Sequence, residues 1–159
     1  MGIVLQFTTC TIRLREQWTI LSLDKVALWG DAMRAVCRAN TGAALAKSAL
    51  AIGNTDESRF DIEVNKDYVI FGIVDFQNAI HILTIGESDF PTWYPVELFT
   101  VTVPELPPRW FFRYVGDEQG IVAIWGYEEL VNDSSHYEAL IEGDEQAISV
   151  FLRRKSDMV

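Results

Sequence analysis

Residues 67–99, DYVIFGIVDFQNAIHILTIGESDFPTWYPVELF, form the most apolar and most strand-like part of the chain. Within this stretch, residues 68–76 and 79–85 are rich in β-branched and aromatic side chains, which favour strands. Gln77 and Asn78 separate the two runs, and Asn tolerates the left-handed backbone of a tight turn. The sequence therefore predicts a central β-hairpin. Neither run alternates cleanly between apolar and polar residues, so both faces of the hairpin need cover from other elements.

Helices are predicted on the N-terminal side of this hairpin. Asp24 can cap a helix, and apolar residues recur after it at helical spacing: Val26, Trp29, Met33, Val36 and Cys37. Residues 40–42 interrupt the pattern, and the alanine-rich residues 43–52 favour a second helix that ends at Gly53. We expect the two helices to form a hairpin that covers one face of the sheet.

Further strands are predicted on both sides of the central hairpin. Residues 60–64, FDIEV, alternate as an edge strand does. Residues 96–103 predict a short strand region. Residues 110–114 and 121–125 predict a second hairpin, joined by the Gly- and Asp-rich turn 115–120.

The C-terminal residues predict short helices. Ser135 and Glu138 have the spacing of a capping box, and Gly143 can end the helix that follows. Asp144 then caps a last helix. Its inward residues are predicted to be Ile148, Phe151 and Leu152, with Arg153, Arg154 and Lys155 in the final turn.

The length of 159 residues fits a single domain. We predict one α+β domain over residues 1–159: a strand plus helical part (1–53), an antiparallel sheet of about five to seven strands (59–125) and a helical C-terminus (126–155). The sheet could be strongly bent or barrel-like.

Cysteine usage and hydropathy predict a cytoplasmic protein. Cys10 and Cys37 form no CxxC or Cys/His pattern, which is typical of free thiols in a reducing compartment. No apolar run reaches the roughly 18 residues of a membrane span. In the first fifteen residues the charges follow the apolar side chains, whereas a signal peptide has them in front.

The net charge of -10 is unevenly distributed along the chain. Residues 1–50 carry six basic and three acidic side chains, a net charge of +3, whereas residues 56–145 carry nineteen acidic and four basic ones, a net charge of -15. Such an acidic block repels nucleic acid and anionic membranes, and it attracts cations or basic proteins. The alternative interpretation is that acidity only maintains solubility.

No motif in the chain indicates catalysis or a cofactor. His81 lies in the apolar run IHILTI and is expected to be a hydrogen-bonded packing residue. His136 has acidic neighbours but lacks the spacing of metal ligands, so no metal is predicted. G-x-S-x-G and phosphate-loop motifs are absent from the sequence. We predict a protein that is not an enzyme, although a site built from dispersed residues would leave no sequence signature.

The chain has five tryptophans, and aromatic residues are concentrated in the runs 93–94 and 110–112. We interpret them as core because each lies in or beside a predicted strand, and the alternative is a ligand-stacking surface. Nucleic-acid binding through such rings would need interleaved basic residues. Their charged neighbours instead include Asp89, Glu97 and Glu105, so no nucleic-acid partner is predicted.

Six short segments carry a family resemblance: YVIFG (68–72), WYPVELF (93–99), WF (110–111), WGYEEL (125–130), HYEALI (136–141) and FLRRK (151–155). Together they resemble small acidic immunity proteins of bacterial toxin–immunity pairs, the antidotes encoded beside contact-dependent or type VI secreted toxins. The resemblance covers about residues 60–155 and does not include the basic N-terminal fifty.

The resemblance implies that the protein binds a cognate toxin and occludes its active site, without a cofactor. A nuclease-type toxin presents a cationic groove to phosphates, so a matching negative surface would speed capture while desolvated aromatic rings hold the complex. We predict that the toxin is contacted by seven acidic residues: Asp117, Glu118, Glu128, Glu129, Glu142, Asp144 and Glu145. The competing hypothesis is an SH3-like β-barrel in residues 60–115, a scaffold or peptide-binding module whose aromatic strands are partly exposed.

Overall fold

The computed structural model describes residues 32–158, which contain strands, α-helices and two short 3-10 helices at Gly42–Ala44 and Val96–Leu98. The strands are β1 (Arg34–Cys37), β2 (Asp67–Val69), β3 (Gly72–Phe76), β4 (Ala79–Ile85), β5 (Pro91–Pro95), β6 (Phe99–Val103), β7 (Phe111–Glu118) and β8 (Ile121–Gly126). The α-helices are α1 (Lys47–Ala51), α2 (Glu128–Asn132), α3 (Ser134–Glu142) and α4 (Glu145–Ser156). The α+β class predicted from the sequence is confirmed.

The predicted central hairpin is formed by β3 and β4. The strands pair antiparallel from Gly72 opposite Leu83 to Phe76 opposite Ala79. Gln77 and Asn78 connect them with φ values of 51° and 62°, the left-handed conformation that a two-residue hairpin turn requires at both positions. Local turn chemistry therefore sets this register.

The strands form two antiparallel sheets instead of the single sheet of five to seven strands that was predicted. One sheet has the order β2-β1-β6 and the other β5-β4-β3-β8-β7, and across residues 32–158 neither closes into a barrel. The predicted strand 68–76 crosses from one sheet to the other. The Ile70 amide donates to the Met33 carbonyl and the Phe71 amide to the Leu83 carbonyl, both at 2.8 Å. Because both sheets are apolar here, the sequence pattern does not reveal the crossing.

The predicted N-terminal helical hairpin is wrong in the part that the structure describes. Most of the helix beginning at Asp24 lies outside the described residues, but its end is strand β1. Val36 and Cys37 pair there with β2 and β6 on either side. In the strand RAVC, Ala35 and Cys37 are fully buried and alternate with half-buried residues, a period of two that the longer helical pattern obscured. The second helix is reduced to the five residues of α1.

Residues 60–64 were predicted to be an edge strand and are irregular instead. The nearest pairing is an isolated bridge between Thr41 and Arg59. Ile62 of this segment is buried in the core between the sheets, whereas Val64 is exposed. The alternation that suggested a strand therefore reflects one buried anchor in a loop.

Among the described residues, two apolar cores lie on opposite sides of the five-stranded sheet. The first is formed with the three-stranded sheet, where Cys37 and Phe99 meet Ile82 and Tyr94. The second is formed with the C-terminal helices and includes the buried residues Phe71, Val74, Leu83, Ile124, Leu130 and Phe151. The five-stranded sheet is thus the middle layer.

Short-range capping signals define the C-terminal helices. Gly143 ends α3 with φ 74°, and the Asp144 carboxylate accepts hydrogen bonds from the amides of Gln146 and Ala147, as predicted. The predicted capping box at Ser135 is wrong, because Asp133 caps α3 by accepting from the amides of Ser135 and His136. Phe151 is fully buried, but Leu152, predicted to face inward, is largely exposed.

Candidate functional site

The seven acidic residues predicted to contact a partner lie in two parts of the fold. Asp117 and Glu118 end strand β7, and their side chains lie outside what the structure describes. The other five belong to the helices that follow β8 or to the turns between them: Glu128, Glu129, Glu142, Asp144 and Glu145. The helices therefore bring together a subset of the predicted residues.

Glu128 and Glu129 form ion pairs within the chain. The Glu129 carboxylate accepts hydrogen bonds from Nε and Nη2 of Arg154 at 2.8 and 2.9 Å. Two longer contacts join Arg153 to Glu129 at 3.3 Å and Arg154 to Glu128 at 3.4 Å. Burial alone would raise the pKa of Glu129, but the hydrogen bonds and charges of these arginines lower it overall. This pair joins α2 to α4 and leaves Glu129 less available to a partner.

Glu142 and Glu145 are exposed on either side of the turn between α3 and α4, and neither makes a side-chain hydrogen bond or ion pair within residues 32–158. Asp144 lies between them and is engaged as a helix cap. Asp144 also lines a groove of about 240 Å³ together with Glu129 and Asp133. The turn therefore presents negative charge that the described part of the chain does not neutralise.

His136 has a structural hydrogen bond beside this groove. Its Nε2 lies 2.8 Å from the Tyr127 hydroxyl, and both side chains are buried. Burial lowers the pKa of His136, although Glu129 and Asp133 oppose that shift. This hydrogen bond links α3 to Tyr127, the residue that directly follows β8. Within the part of the chain that the structure describes, no group of three or more His, Cys, Asp or Glu side chains could hold a metal ion.

A second acidic cluster, which the sequence analysis missed, forms where two loops meet. Its acidic members are Asp61, Glu63, Glu87 and Asp89, around Lys66. The Glu87 carboxylate accepts from Lys66 Nζ at 2.7 Å and from the Tyr68 hydroxyl at 2.7 Å. The loops are far apart in sequence, and hydrogen bonds from the Glu87 amide to the Asp61 carbonyl at 3.0 Å and from the Ser88 amide to the Asp61 carboxylate at 2.8 Å bring the charges together.

Aromatic side chains are exposed on the sheet face opposite the helices. Phe112 is 58 % and Tyr114 70 % exposed, and the Trp125 ring lies 5.0 Å from that of Phe112. The interpretation of residues 110–112 as core was therefore wrong for Phe112, and also for Phe111, which is 43 % exposed. Tyr94, on the same sheet face, is buried as predicted.

The unequal cover of this sheet face explains the difference. Rows of paired residues cross the sheet, and the row Tyr94, Ile82, Ile73, Trp125, Phe112 passes from the covered part to the free edge strand β7. Ile73, Ile82 and Tyr94 pack in the core with the three-stranded sheet, whereas Phe112 and Trp125 belong to neither core among the described residues. The smaller sheet leaves the β7 side uncovered.

Asp75 lies among these aromatic residues. It shares a row with Tyr114, with Ala123 between them, so two strand spacings of about 4.8 Å separate the Asp75 and Tyr114 positions. Oδ1 of Asp75 is buried and has no hydrogen-bond partner. An unpaired buried carboxylate oxygen is costly and favours a cationic or hydrogen-donating partner. We name Phe112, Tyr114, Trp125 and Asp75 the aromatic face.

His81 is a packing residue, as its apolar surroundings predicted. It is 8 % exposed, and its Nδ1 lies 3.1 Å from the Ala79 carbonyl oxygen, to which it donates. Burial lowers the pKa of His81, so the ring is neutral near pH 7. Cys37 is likewise buried, as a free thiol that donates a hydrogen bond to the Ala39 carbonyl oxygen at 3.3 Å, and Cys10 lies outside the described residues.

Comparison of the chain with protein-family models, curated proteins and solved structures gave no significant match. Between residues 32 and 158, no helix has the length and apolar character needed to cross a membrane.

Proposed function

We propose that this protein is an immunity protein that binds a basic, nuclease-type toxin through its aromatic face and neutralises it by occlusion. The observation that carries the proposal is the cluster of the exposed Phe112 and Tyr114 rings and the half-buried Trp125 ring near the unpartnered carboxylate of Asp75. Exposed Trp, Tyr and Phe residues with a charged group among them are typical of the energetic centre of protein interfaces.

The charges of the chain support a basic partner. Residues 56–145 have a net charge of -15, and Glu142 and Glu145 remain unneutralised by the described part of the chain. Such charges accelerate encounter with a cationic protein, whereas buried contacts determine how long the complex lasts. We therefore assign the faster encounter to the turn between α3 and α4, which carries Glu142 and Glu145, and the stability of the complex to the aromatic face. A lysine or arginine of the toxin pairs with Asp75 and packs on the rings around it.

The decisive experiment uses the product of the gene adjacent to this one. Its C-terminal region is expressed in bacteria with and without this protein, and growth is measured. We expect the toxin fragment to arrest growth and the intact protein to restore it, and both purified proteins to form a one-to-one complex. Growth arrest that this protein does not relieve would contradict the proposal.

The aromatic face is tested with Tyr114→Ser and Asp75→Asn. Each should weaken the complex about thirtyfold, because central interface residues contribute about 2 kcal/mol or more. The matched control is Phe90→Ser, which removes an aromatic ring that is 57 % exposed in the loop before β5. Affinity reduced equally by Phe90→Ser, or unchanged in both test variants, would reject this surface.

The steering role is tested with Glu142→Lys combined with Glu145→Lys. These residues are preferred to the full charge reversal of all seven predicted contacts, because Glu129 and Asp144 also stabilise the fold. We expect a several-fold slower association that high salt abolishes, with an unchanged dissociation rate. An association rate equal to that of the parent protein would show that the turn between α3 and α4 does not steer the toxin.

The SH3-like alternative predicted a closed barrel in residues 60–115. The strands in that range instead divide between two sheets that remain open across the described residues. That alternative is therefore abandoned in its barrel form. Its expectation of partly exposed aromatic strands is met by β7.

A further inference from the structure

A pocket of about 300 Å³ lies between α3 and the helix-covered face of the five-stranded sheet. Its walls include Phe76, Trp93 and Tyr137, and Ile141 lies at its rim with 58 % of its surface exposed. Small-molecule sites have similar volumes and similar walls, mostly apolar and aromatic with a few polar groups. The pocket is separate from the aromatic face, which lies on the opposite side of the sheet.

The chemistry of the pocket walls defines the ligand. None of the side chains that line it carries a charge when His81 is neutral. A charged ligand would lose its hydration without gaining an ionic partner, so the ligand must be neutral. The centroids of the Trp93 and Tyr137 rings lie 5.6 Å apart, and the ring planes are tilted by 47° to each other. The two rings form an aromatic wall on which a flat ring can pack.

Polar groups in the pocket define the orientation of the ligand. Nδ1 of His81 is already bonded to the Ala79 carbonyl, so Nε2 is the ring nitrogen that remains as an acceptor. The side chain of His81 is more than nine-tenths buried, and no group among the described residues donates to Nε2. The Thr92 hydroxyl also lines the pocket, and it donates a long hydrogen bond of 3.5 Å to the Phe90 carbonyl oxygen.

We propose that this pocket binds a neutral planar aromatic molecule with one N–H or O–H group, which donates a hydrogen bond to Nε2 of His81. The ring lies against Trp93 and Tyr137, and the rim residue Ile141 covers it. The ligand bridges α3 and the sheet. This site does not depend on the proposed toxin binding.

The test uses indole as the probe and 1-methylindole as the matched probe without a donor. Binding to the isotope-labelled full chain is followed by NMR shifts of residues around the pocket, such as Val74 and Leu140. We expect saturable indole binding, with 1-methylindole about three- to tenfold weaker, the factor that one hydrogen bond contributes. No saturable shift at millimolar indole, or equal affinity for both probes, would overturn the proposal.

Two variants assign the effect to this site. His81→Phe keeps a planar ring but removes the acceptor, so it should equalise the affinities of the two probes. Ile141→Trp should obstruct the mouth and reduce indole affinity at least tenfold, without touching the buried core. The matched control is Leu152→Trp, a substitution at a site 47 % exposed on α4, which should leave affinity unchanged. Equal losses in Ile141→Trp and Leu152→Trp would show that the pocket is not the binding site.

Discussion

The two faces of the five-stranded sheet carry similar aromatic and aliphatic residues but meet different surroundings. On the helix side, Val74, Leu83 and Ile124 are all buried under the C-terminal helices. On the other side, the smaller sheet covers Tyr94, whereas Tyr114 is exposed. The difference teaches that cover by a neighbouring layer, and not residue type, decides which aromatic residues become core and which can bind a partner.

The largest expected effect comes from opening the helix-covered side. Phe151→Ala removes a fully buried ring. The centroid of that ring lies 5.2 Å from the centroid of the Phe71 ring and 6.3 Å from that of the Tyr127 ring. We expect the free energy of unfolding to fall by about 4 kcal/mol, as for other buried phenylalanines. Urea unfolding measures this loss. The neighbouring substitution Leu152→Ala should cost about 0.5 kcal/mol or less, because that side chain is on the surface; similar losses in the two variants would contradict the assignment of the core.

The second-largest effect is expected from acid, which should destabilise the helix-covered side. The chain has two histidines, His81 and His136, both buried with a pKa lowered from 6.5 by burial. The unfolded chain therefore binds these protons more readily than the folded one. Stability is complete above the ordinary pKa, and it falls as the pH drops through 6.5 toward the lowered values.

Urea unfolding between about pH 7.5 and about pH 5.5 tests this histidine effect. The double variant His81→Phe with His136→Gln should lose most of the decrease over that range. A decrease of the same size in the double variant would assign it to other groups. Glu129, whose pKa is also lowered, keeps its contribution above 4.5 and loses it as the pH falls from 4.5 toward its lowered pKa.

Helix capping provides a smaller effect that separates Asp133 from Ser135. Asp133→Ala removes the acceptor of two amide hydrogen bonds at the start of α3 and should cost about 1 kcal/mol. Ser135→Ala removes a hydroxyl whose one hydrogen bond within residues 32–158 goes to the Asp133 side chain, so it should cost less. Thermal unfolding of both variants compares them. A larger loss of stability for Ser135→Ala than for Asp133→Ala would support the capping box at Ser135 that was predicted from the sequence.

The smallest effect on stability is expected on the uncovered part of the other sheet face. Tyr114→Ser should change the free energy of unfolding by less than about 0.5 kcal/mol, because the side chain is already largely in water. The same substitution at Tyr94, which packs edge-on against Phe60 and Phe99, should be severely destabilising. Urea unfolding of the pair measures the contrast. Equal losses would show that Tyr114 is covered in solution.

Features set by neighbours in sequence could be predicted. Gln77 and Asn78 supplied the positive φ of the central turn, and Gly143 and Asp144 marked the end of one helix and the start of the next. The same reasoning failed for Val36 and Cys37, because a short buried strand also fits part of a helical pattern. The aromatic face was not predicted, because Phe112 lies in an aromatic strand pattern that is typical of core, and the pairing of Glu129 with Arg154 was not predicted either.

The sequence by itself determined the α+β class, the two hairpins, the Asp144 cap of the last helix and the uneven charge, since each depends on composition or on residues a few positions apart. Tertiary structure alone decided the crossing between sheets at Ile70 and Phe71, the exposure of Phe112 and Tyr114, and the isolation of Asp75 among them. The physical reason is that exposure depends on which distant segment covers a surface, and a sequence pattern records the apolar character of a residue but not its cover.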